Sequence, residues 1–229
     1  MQKNTNSPSN NRTLPIIISK FTHELRNPLS LIFSEFQLFL SNHPEASEWK
    51  ETAEIQEQLD YMKELLNEFS NYNNANRLSL KPTHIAEFLL HTADFFRPTL
   101  DYLGIRLVTE ISAKLPVIPL DAVKFRQALI NLLRNAQEAI SHEHGEIHLC
   151  ACCINATEIT ITVQDNGCGI PPEQLHNIDA PFITYKTSGT GLGLAITKQI
   201  IEAHGGHMTI QSTPQIGTTV TLTLPISIL

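Results

Sequence analysis

Apolar residues recur at three- and four-residue steps through the N-terminal third of the chain. They predict one helix from about Pro15, which the run SNHPEAS at 41–47 ends, and a second helix with Ser47 as its candidate N-cap. Two such helices form an antiparallel hairpin, and a lone hairpin cannot bury both of its apolar stripes. The pattern therefore predicts that two chains dimerise into a four-helix bundle. The stripes consist of Ile18, Phe21, Leu25, Leu29, Ile32, Phe36 and Phe39, and of Trp49, Leu59, Met62, Leu66 and Phe69.

After an Asn-rich linker at 71–82, helical patterns give way to strand patterns. Thr83 is the candidate cap of a helix over 85–100, and Asp121 that of a helix to about Ile140. Strands that pair in hairpins, with helices elsewhere, predict a mixed sheet covered on one face. The fold class is therefore α+β, with a C-terminal two-layer sandwich. The predicted strands are 104–111, 146–153, 157–164, 207–212 and 218–224, with a loop through Pro116 and Pro119 and a last helix ending before Gly205.

Composition narrows the class of protein. The chain has 16 Lys and Arg against 23 Asp and Glu, a formal net charge of −7, so it lacks the basic surface of a nucleic-acid binder. With 41% hydrophobic residues it can bury a core. No apolar run reaches the roughly 18–20 residues of a membrane span, and the N-terminus is not a signal peptide. We expect a cytoplasmic protein with no membrane segment and no nucleic-acid partner.

The stretch 165–194 carries two glycine motifs, DNGCG and TSGTGLGL. In the second motif, Gly189, Gly191 and Gly193 can bring backbone N–H groups close to an anion. The helix that follows points its positive end at the same place, so the motif predicts a phosphate site. It is neither a Walker loop nor a Rossmann fingerprint, because it lacks the Gly-Lys-Ser/Thr of the first and the strand-Gly-x-Gly-x-x-Gly-helix order of the second.

The first glycine motif begins with Asp165 at a strand end. This carboxylate can accept a hydrogen bond from an exocyclic amine such as adenine N6, while Gly167 and Gly169 let the backbone turn tightly beside a flat base. The alternative is an ordinary Asp-Asn-Gly turn. Residues 171–188, between the two motifs, suit a lid over a ligand, in which Lys186 either meets a phosphate or is a solvated surface lysine.

Two other segments carry candidate chemistry. Asn131 and Asn135 lie one turn apart on an otherwise apolar helix, where they either form a solvated face or supply an amide oxygen to Mg²⁺. In the first helix, His23 is either a surface histidine beside a kink at Pro28, or a nucleophile. As a nucleophile, one ring nitrogen attacks phosphorus while Glu24 accepts the proton from the other.

Five motifs stand in the order and spacing found in sensor histidine kinases: HELRNPL, NLLRNAQEA, DNGCG, PFITYKTSGTGLGL and GTTVTL. The chain is similar to that family over about residues 15–225. The resemblance implies a dimerising phosphoacceptor hairpin followed by an ATP-binding domain of the kind shared with gyrase, Hsp90 and MutL. Residues 1–13 are polar and without periodicity, which predicts a disordered tail. The resemblance implies a dimerisation and histidine phosphotransfer hairpin at 14–76 and the catalytic domain at 77–229.

The resemblance also implies roles for single residues. His23 is the phosphoacceptor, Glu24 the acid–base residue, and Asn27 positions water when the partner is dephosphorylated. The implied nucleotide residues are Asn135 as Mg²⁺ ligand supported by Asn131, Asp165 reading adenine, Gly167 and Gly169 shaping the base pocket, Gly189, Gly191 and Gly193 holding phosphates, Phe182 and Lys186 in the lid, and Thr218 near the base.

The implied activity is that of a homodimeric protein-histidine kinase. It autophosphorylates His23 from Mg-ATP and passes the phosphoryl group to an Asp of a response regulator receiver domain. The chain begins about twenty residues before His23, so it is either a truncated part of a longer kinase or a core without its own sensor module, and a core of that kind resembles the sporulation type. The alternative is a sporulation-phosphorelay phosphotransferase with vestigial or regulatory ATP binding. A further candidate is a nucleotide-sensing interaction module. A last one is a serine kinase of the anti-sigma type, but such kinases lack a histidine hairpin, so residues 15–72 argue against it.

Overall fold

The structure, a computed structural model, describes residues 13–186 and 189–226, with only the backbone for 13–21 and 23. The chain divides into two compact units, Met1–Asn74 and Ala75–Leu229. Each unit has its own set of secondary-structure elements and is described separately. Among the described residues, no helix is long and apolar enough to cross a membrane.

The first unit is a pair of helices, α1 (Thr13–Asn42) and α2 (Lys50–Asn74), joined by a 3₁₀ turn at Pro44–Glu48. The helices run antiparallel, because contacts pair early residues of one with late residues of the other. Arg26 reaches Asn67, and Gln37 donates to Gln56 over 3.1 Å. Pro28 lies inside α1 without ending it.

Two predicted features of this unit are wrong. Ser47 does not cap α2: it lies in the 3₁₀ turn, where its hydroxyl donates to Pro44 O over 2.6 Å, and α2 begins three residues later. The predicted linker at 71–82 is also too long, because α2 continues to Asn74 and Pro82 belongs to a strand. Asn is a mediocre helix former, but tertiary packing carries the helix through the Asn-rich run.

Much of the predicted apolar surface of the hairpin is exposed in the single chain. Leu29 and Leu59 are buried. Five other residues of the predicted stripes have exposed fractions between 41% and 53%: Leu25, Ile32, Phe39, Trp49 and Met62. Exposed apolar surface on a helical hairpin is typical of an interaction site.

The second unit is a five-stranded sheet with three helices on one face, as the strand pattern predicts. The strands are β2 Arg106–Ile111, β4 Glu146–Cys153, β5 Glu158–Asp165, β6 His207–Thr213 and β7 Gly217–Pro225. Their order in the sheet is β2-β4-β5-β7-β6. Strands β2 and β4 are parallel, and the other neighbouring pairs are antiparallel. The helices are α3 Ile85–Tyr102, α4 Ala122–Ala139 and α6 Gly193–Ala203, and a short α5 spans Pro172–Leu175.

A second, two-stranded sheet was not predicted. It pairs β1 (Lys81–His84) with β3 (Val117–Leu120). The predicted loop around Pro119 is therefore partly a strand, and Pro82 lies opposite Pro119. Two prolines fit there because one of the alternating pair positions in an antiparallel ladder exchanges no backbone hydrogen bonds. Thr83 lies in β1, where its hydroxyl donates to Lys81 O, so its predicted capping of α3 is wrong.

The core lies between the sheet and α3, α4 and α6. Every second residue of the central strands is buried against the helices, among them Leu149, Ile161 and Leu222, each fully buried. Asp121 caps α4 as predicted: its carboxylate accepts hydrogen bonds from Lys124 N and Ser79 N. The capped helix lies across the sheet and carries the two asparagines of the candidate site.

Candidate nucleotide-binding site

Asp165 is the last residue of β5, and 8% of its surface is exposed. Its Oδ1 accepts hydrogen bonds from Gly167 N at 2.9 Å and Thr218 N at 3.3 Å. Within the described part of the chain, no hydrogen bond reaches Oδ2. Burial raises the pKa of the Asp165 carboxyl, although both backbone donors act to lower it. A buried carboxylate with one oxygen occupied by the backbone therefore offers the other to a ligand.

Asp165 belongs to a row of polar side chains across three neighbouring strands. It lies opposite Thr218 of β7, which in turn lies opposite Ser212 of β6. The Ser212 and Thr218 hydroxyl oxygens are 2.9 Å apart. The structure thus brings the predicted Asp165 and Thr218 together and adds Ser212, which the sequence reading missed because it is one polar residue among several in an alternating strand.

The glycines after Asp165 are required by the protein's own backbone. A Cβ at Gly167 would lie 2.5 Å from Ala139 O, at the end of α4. Gly169 has φ +66°, and a Cβ there would lie 2.2 Å from Thr213 O. The turn therefore passes between α4 and the β6–β7 turn so closely that only glycine fits. This contact fixes Asp165 relative to α4.

The second glycine motif is packed differently at each glycine. A Cβ at Gly189 would lie 2.6 Å from Thr184 Oγ1, and one at Gly191, where φ is +70°, would lie 2.7 Å from Ile183 N. Gly193 is the first residue of α6, and the described atom nearest to its added Cβ is Asn131 Nδ2, at 3.8 Å. A Cβ at Gly193 would thus make only ordinary van der Waals contact with the described atoms, at a helix N-terminus where backbone N–H groups lack intrahelical partners.

Helix α4 connects the parts of the site through residues spaced four apart. Asn131 Nδ2 donates to Gly193 O over 3.3 Å, which joins α4 to the start of α6. Asn135 Oδ1 accepts a hydrogen bond from Lys186 Nζ in the predicted lid, at 3.0 Å. Ala139 O accepts from Cys168 N at 2.9 Å, in the turn after Asp165. One face of α4 therefore holds the helix start, the lid and the base-side turn.

The Asn135 oxygen is available to a cation. In this structure it faces the Lys186 ammonium group, which also forms an ion pair with Glu138. Amide and carboxylate oxygens are the ligands that Mg²⁺ prefers, so Asn135 fits the role of a magnesium ligand. Glu138 is a further residue that the sequence reading missed, since 48 residues separate it from Lys186.

The described part of the predicted lid, residues 171–186, contains α5 and irregular backbone. Lys198 of α6 bonds Asp179 over 2.7 Å, and this bond raises the pKa of Lys198. Tyr185 donates to Asn177 over 3.1 Å. Phe182 has φ +64°, which is uncommon outside glycine, and its N–H donates to Gly191 O. The lid is therefore attached to α6, to α4 and to the glycine motif.

The three residues predicted for phosphoryl transfer lie in the first unit. His23 is within α1, and its side chain lies outside the described residues. Glu24 and Asn27 are exposed on the same helix. The other predicted site residues all lie in the second unit, around α4 and the ends of β5 and β7.

Comparison with known proteins finds a family similarity over most of the second unit. Residues 120–228 match the family model described as histidine kinase-, DNA gyrase B-, and HSP90-like ATPase. The chain is 32% identical over 219 residues to Sporulation kinase B of Bacillus subtilis (strain 168), covering 91% of this chain and 49% of the relative. It is 33% identical over 207 residues to the sensor histidine kinase ZraS of Escherichia coli (strain K12), covering 90% and 44%. The chain thus spans about half the length of these relatives.

Solved structures show the same similarity. Full-length ShkA in complex with AMPPNP superimposes with a TM-score of 0.81 at 26% identity, over 94% of this chain and 46% of ShkA. The histidine kinase ThkA in complex with the response regulator protein TrrA gives 0.65 at 25% identity, over 92% and 61%. Over residues 120–228 the chain is therefore similar to histidine kinase-, DNA gyrase B- and HSP90-like ATPases, and the proteins it resembles include a sensor histidine kinase and the histidine kinase ThkA.

Proposed function

We propose that this chain is the catalytic core of a two-component protein-histidine kinase that uses Mg-ATP to phosphorylate His23. The observation that carries the proposal is that one face of α4 contacts three parts of the site. Asn131 bonds the start of α6, where we propose the phosphates bind. Asn135 is the proposed metal ligand, and Ala139 bonds the turn beside the proposed base pocket. A base acceptor, a cation ligand and a helix N-terminus in one place match the three parts of a nucleoside triphosphate.

Each part of the nucleotide has a group suited to it. Asp165 Oδ2 accepts from the amino group of adenine, next to Thr218. The open N-terminus of α6 at Gly193 faces the phosphates, where its dipole and free N–H groups favour negative charge. Asn135 would hold Mg²⁺, which would supply charge neutralisation at the phosphates. Lys186 leaves Glu138 to pair with a phosphate, and Phe182 moves with it as the lid closes.

The phosphoryl group moves from ATP to the imidazole of His23. A ring nitrogen forms a bond to the γ-phosphorus while the bond to the bridging oxygen of ADP breaks, and Glu24 takes the proton from the other ring nitrogen. Most of the rate enhancement comes from positioning and charge neutralisation. The phosphohistidine then donates the phosphoryl group to an Asp of a response regulator receiver domain. Asn27 positions water when that partner is dephosphorylated.

The apolar stripe of the hairpin is the proposed dimerisation surface. The exposed fractions of Leu25, Ile32 and Phe39 are 41%, 53% and 41%, and these residues recur at seven-residue intervals on α1. A second copy of the hairpin covers this stripe in a four-helix bundle. Similarity to the kinase ThkA, whose structure contains the response regulator TrrA, supports a receiver domain as partner. Similarity to Sporulation kinase B supports the sporulation type. The proposed use of ATP and of a response regulator favours a cytoplasmic location.

The experiment is incubation of the purified chain with γ-labelled ATP and Mg²⁺. We expect acid-labile, alkali-stable label that is absent from His23→Gln and Asn135→Ala. His91→Gln, an exposed histidine on α3, is the matched control and keeps the label. No label in a protein that binds ATP would refute autophosphorylation. Label that instead reaches His23 from a phosphorylated regulator would identify a phosphorelay phosphotransferase.

A further inference from the structure

Ser212 of β6 has three hydrogen-bond partners at the base side of the site. Its Oγ lies 2.8 Å from Ile170 N, 2.9 Å from Gly217 O and 2.9 Å from Thr218 Oγ1. A serine hydroxyl has one proton to donate and two lone pairs to accept with. Its three contacts use all of this capacity, so they fix the direction of each hydrogen bond.

The directions follow from what each partner can do. Ile170 N can only donate, so it takes one lone pair of Ser212. Gly217 O can only accept, so it takes the single Ser212 proton. Only a lone pair then remains for Thr218, and the Thr218 hydroxyl must be the donor. The Thr218 proton therefore points at Ser212 and away from the rest of the pocket.

The consequence is a pocket wall that presents acceptors. Thr218 has spent its proton on Ser212, so its oxygen offers lone pairs. Asp165 lies directly opposite Thr218 in the β5–β7 ladder, where Cβ atoms are about 4.5–5.5 Å apart. Its Oδ1 is taken by two backbone N–H groups, and Oδ2 is an acceptor. Two neighbouring acceptors suit an amino group, which has two N–H donors, and repel an oxo group.

We propose that Ser212 is a specificity-determining positioning residue, which fixes the Thr218 hydroxyl so that the site selects a 6-aminopurine over a 6-oxopurine nucleotide. The inference rests on the proposed nucleotide site and goes beyond it, because Ser212 is argued to act through Thr218. Without the Ser212 hydroxyl, Thr218 can rotate its proton towards the pocket and donate to an oxo group. The discrimination between the two purines then decreases.

The test measures the dissociation constants of ATP and of inosine triphosphate, which has an oxo group at C6, by competition with a fluorescent nucleotide. We expect the unmodified chain to prefer ATP by about tenfold or more, which is the ratio that corresponds to one hydrogen bond. In Ser212→Ala the preference falls by about 3- to 10-fold, through tighter inosine triphosphate binding. Ser212→Thr, which keeps the hydroxyl, retains the preference.

The matched control is Thr209→Ala, which removes an exposed hydroxyl from β6 on the opposite side of the strand. It leaves the preference unchanged. Equal weakening of both nucleotides in Ser212→Ala, or an unchanged ratio, would overturn the inference while leaving the nucleotide site intact. Binding of neither nucleotide by the unmodified chain would instead overturn the proposed function.

A second variant keeps the inference testable if Ser212→Ala does not fold. Thr218→Val removes the acceptor oxygen and keeps the shape of the side chain. We expect it to weaken ATP more than inosine triphosphate, so the ratio again falls. An unchanged ratio in that variant would refute the acceptor role of Thr218 and with it the role of Ser212.

Discussion

Asp165→Asn tests the base side of the site with a change of one atom. The amide has one acceptor, and Oδ1 already accepts from Gly167 N and Thr218 N. The amide oxygen must keep that place, because an NH₂ group there would face two donors. The NH₂ group therefore takes the position of Oδ2 and turns the free acceptor into a donor.

The magnitude follows from the hydrogen bond that is lost. A hydrogen bond to a charged group contributes about 1.5–3 kcal/mol, which corresponds to roughly 10- to 150-fold weaker ATP binding. The thermal stability of Asp165→Asn should not fall together with its ATP affinity. Burial disfavours the charged carboxylate and raises its pKa, and the neutral amide avoids this cost while keeping both backbone bonds. We expect an unchanged or higher melting temperature.

The assay is calorimetric titration with ATP together with thermal unfolding of the same preparation. Asp94→Asn, an exposed carboxylate on α3, is the matched control and leaves ATP binding as it was. Binding of ATP by Asp165→Asn within threefold of the unmodified chain would refute the assignment of Oδ2 to the base. A large fall in melting temperature would refute the orientation deduced for the amide.

Three further changes probe the glycine motif, the joint between α4 and α6, and the core. Gly191→Ala places a Cβ 2.7 Å from Ile183 N at φ +70°, so ATP affinity should fall at least tenfold. The control is Gly104→Ala, at φ +71° with no described atom within 4 Å of the added Cβ. It shows only the conformational cost of about 1–2 kcal/mol. His204 Nε2 accepts from Asp121 N, and burial lowers the His204 pKa, so the neutral form belongs to the folded state. This contribution to stability is complete above the unfolded pKa of about 6.5 and is lost as the pH falls below it. Denaturant titrations above and below this pH should show a lower free energy of unfolding at the lower pH, and His204→Gln should lack this difference. Leu149→Ala, at a fully buried position, lowers the free energy of unfolding by about 2–5 kcal/mol in urea titration, and a loss under 1 kcal/mol would contradict the described core.

Local patterns were sufficient for the elements whose signals lie within a few residues. The period-two alternation predicted β4 and β5 to within about a residue, and Asp121 was identified as a cap because an N-cap bonds its own helix. The same local reasoning failed where a neighbour in space decides the outcome. Pro82 and Pro119 indicate a linker and a loop when read alone, and only their pairing makes them strand residues. Thr83 and Ser47 are suitable caps by residue type, yet both bond elsewhere.

The sequence by itself determined which residues are candidates for the site, because glycine, asparagine and aspartate in those motifs are chemically unusual for their elements. Only the tertiary structure decided what each one does. It leaves no room for a Cβ at Gly167, which packs against Ala139, whereas a Cβ at Gly193 would meet no described atom nearer than 3.8 Å. It also placed Ser212 beside Thr218 and Glu138 beside Lys186. The physical reason is that hydrogen-bond direction and backbone clearance depend on atoms that meet only when strands pair and helices pack.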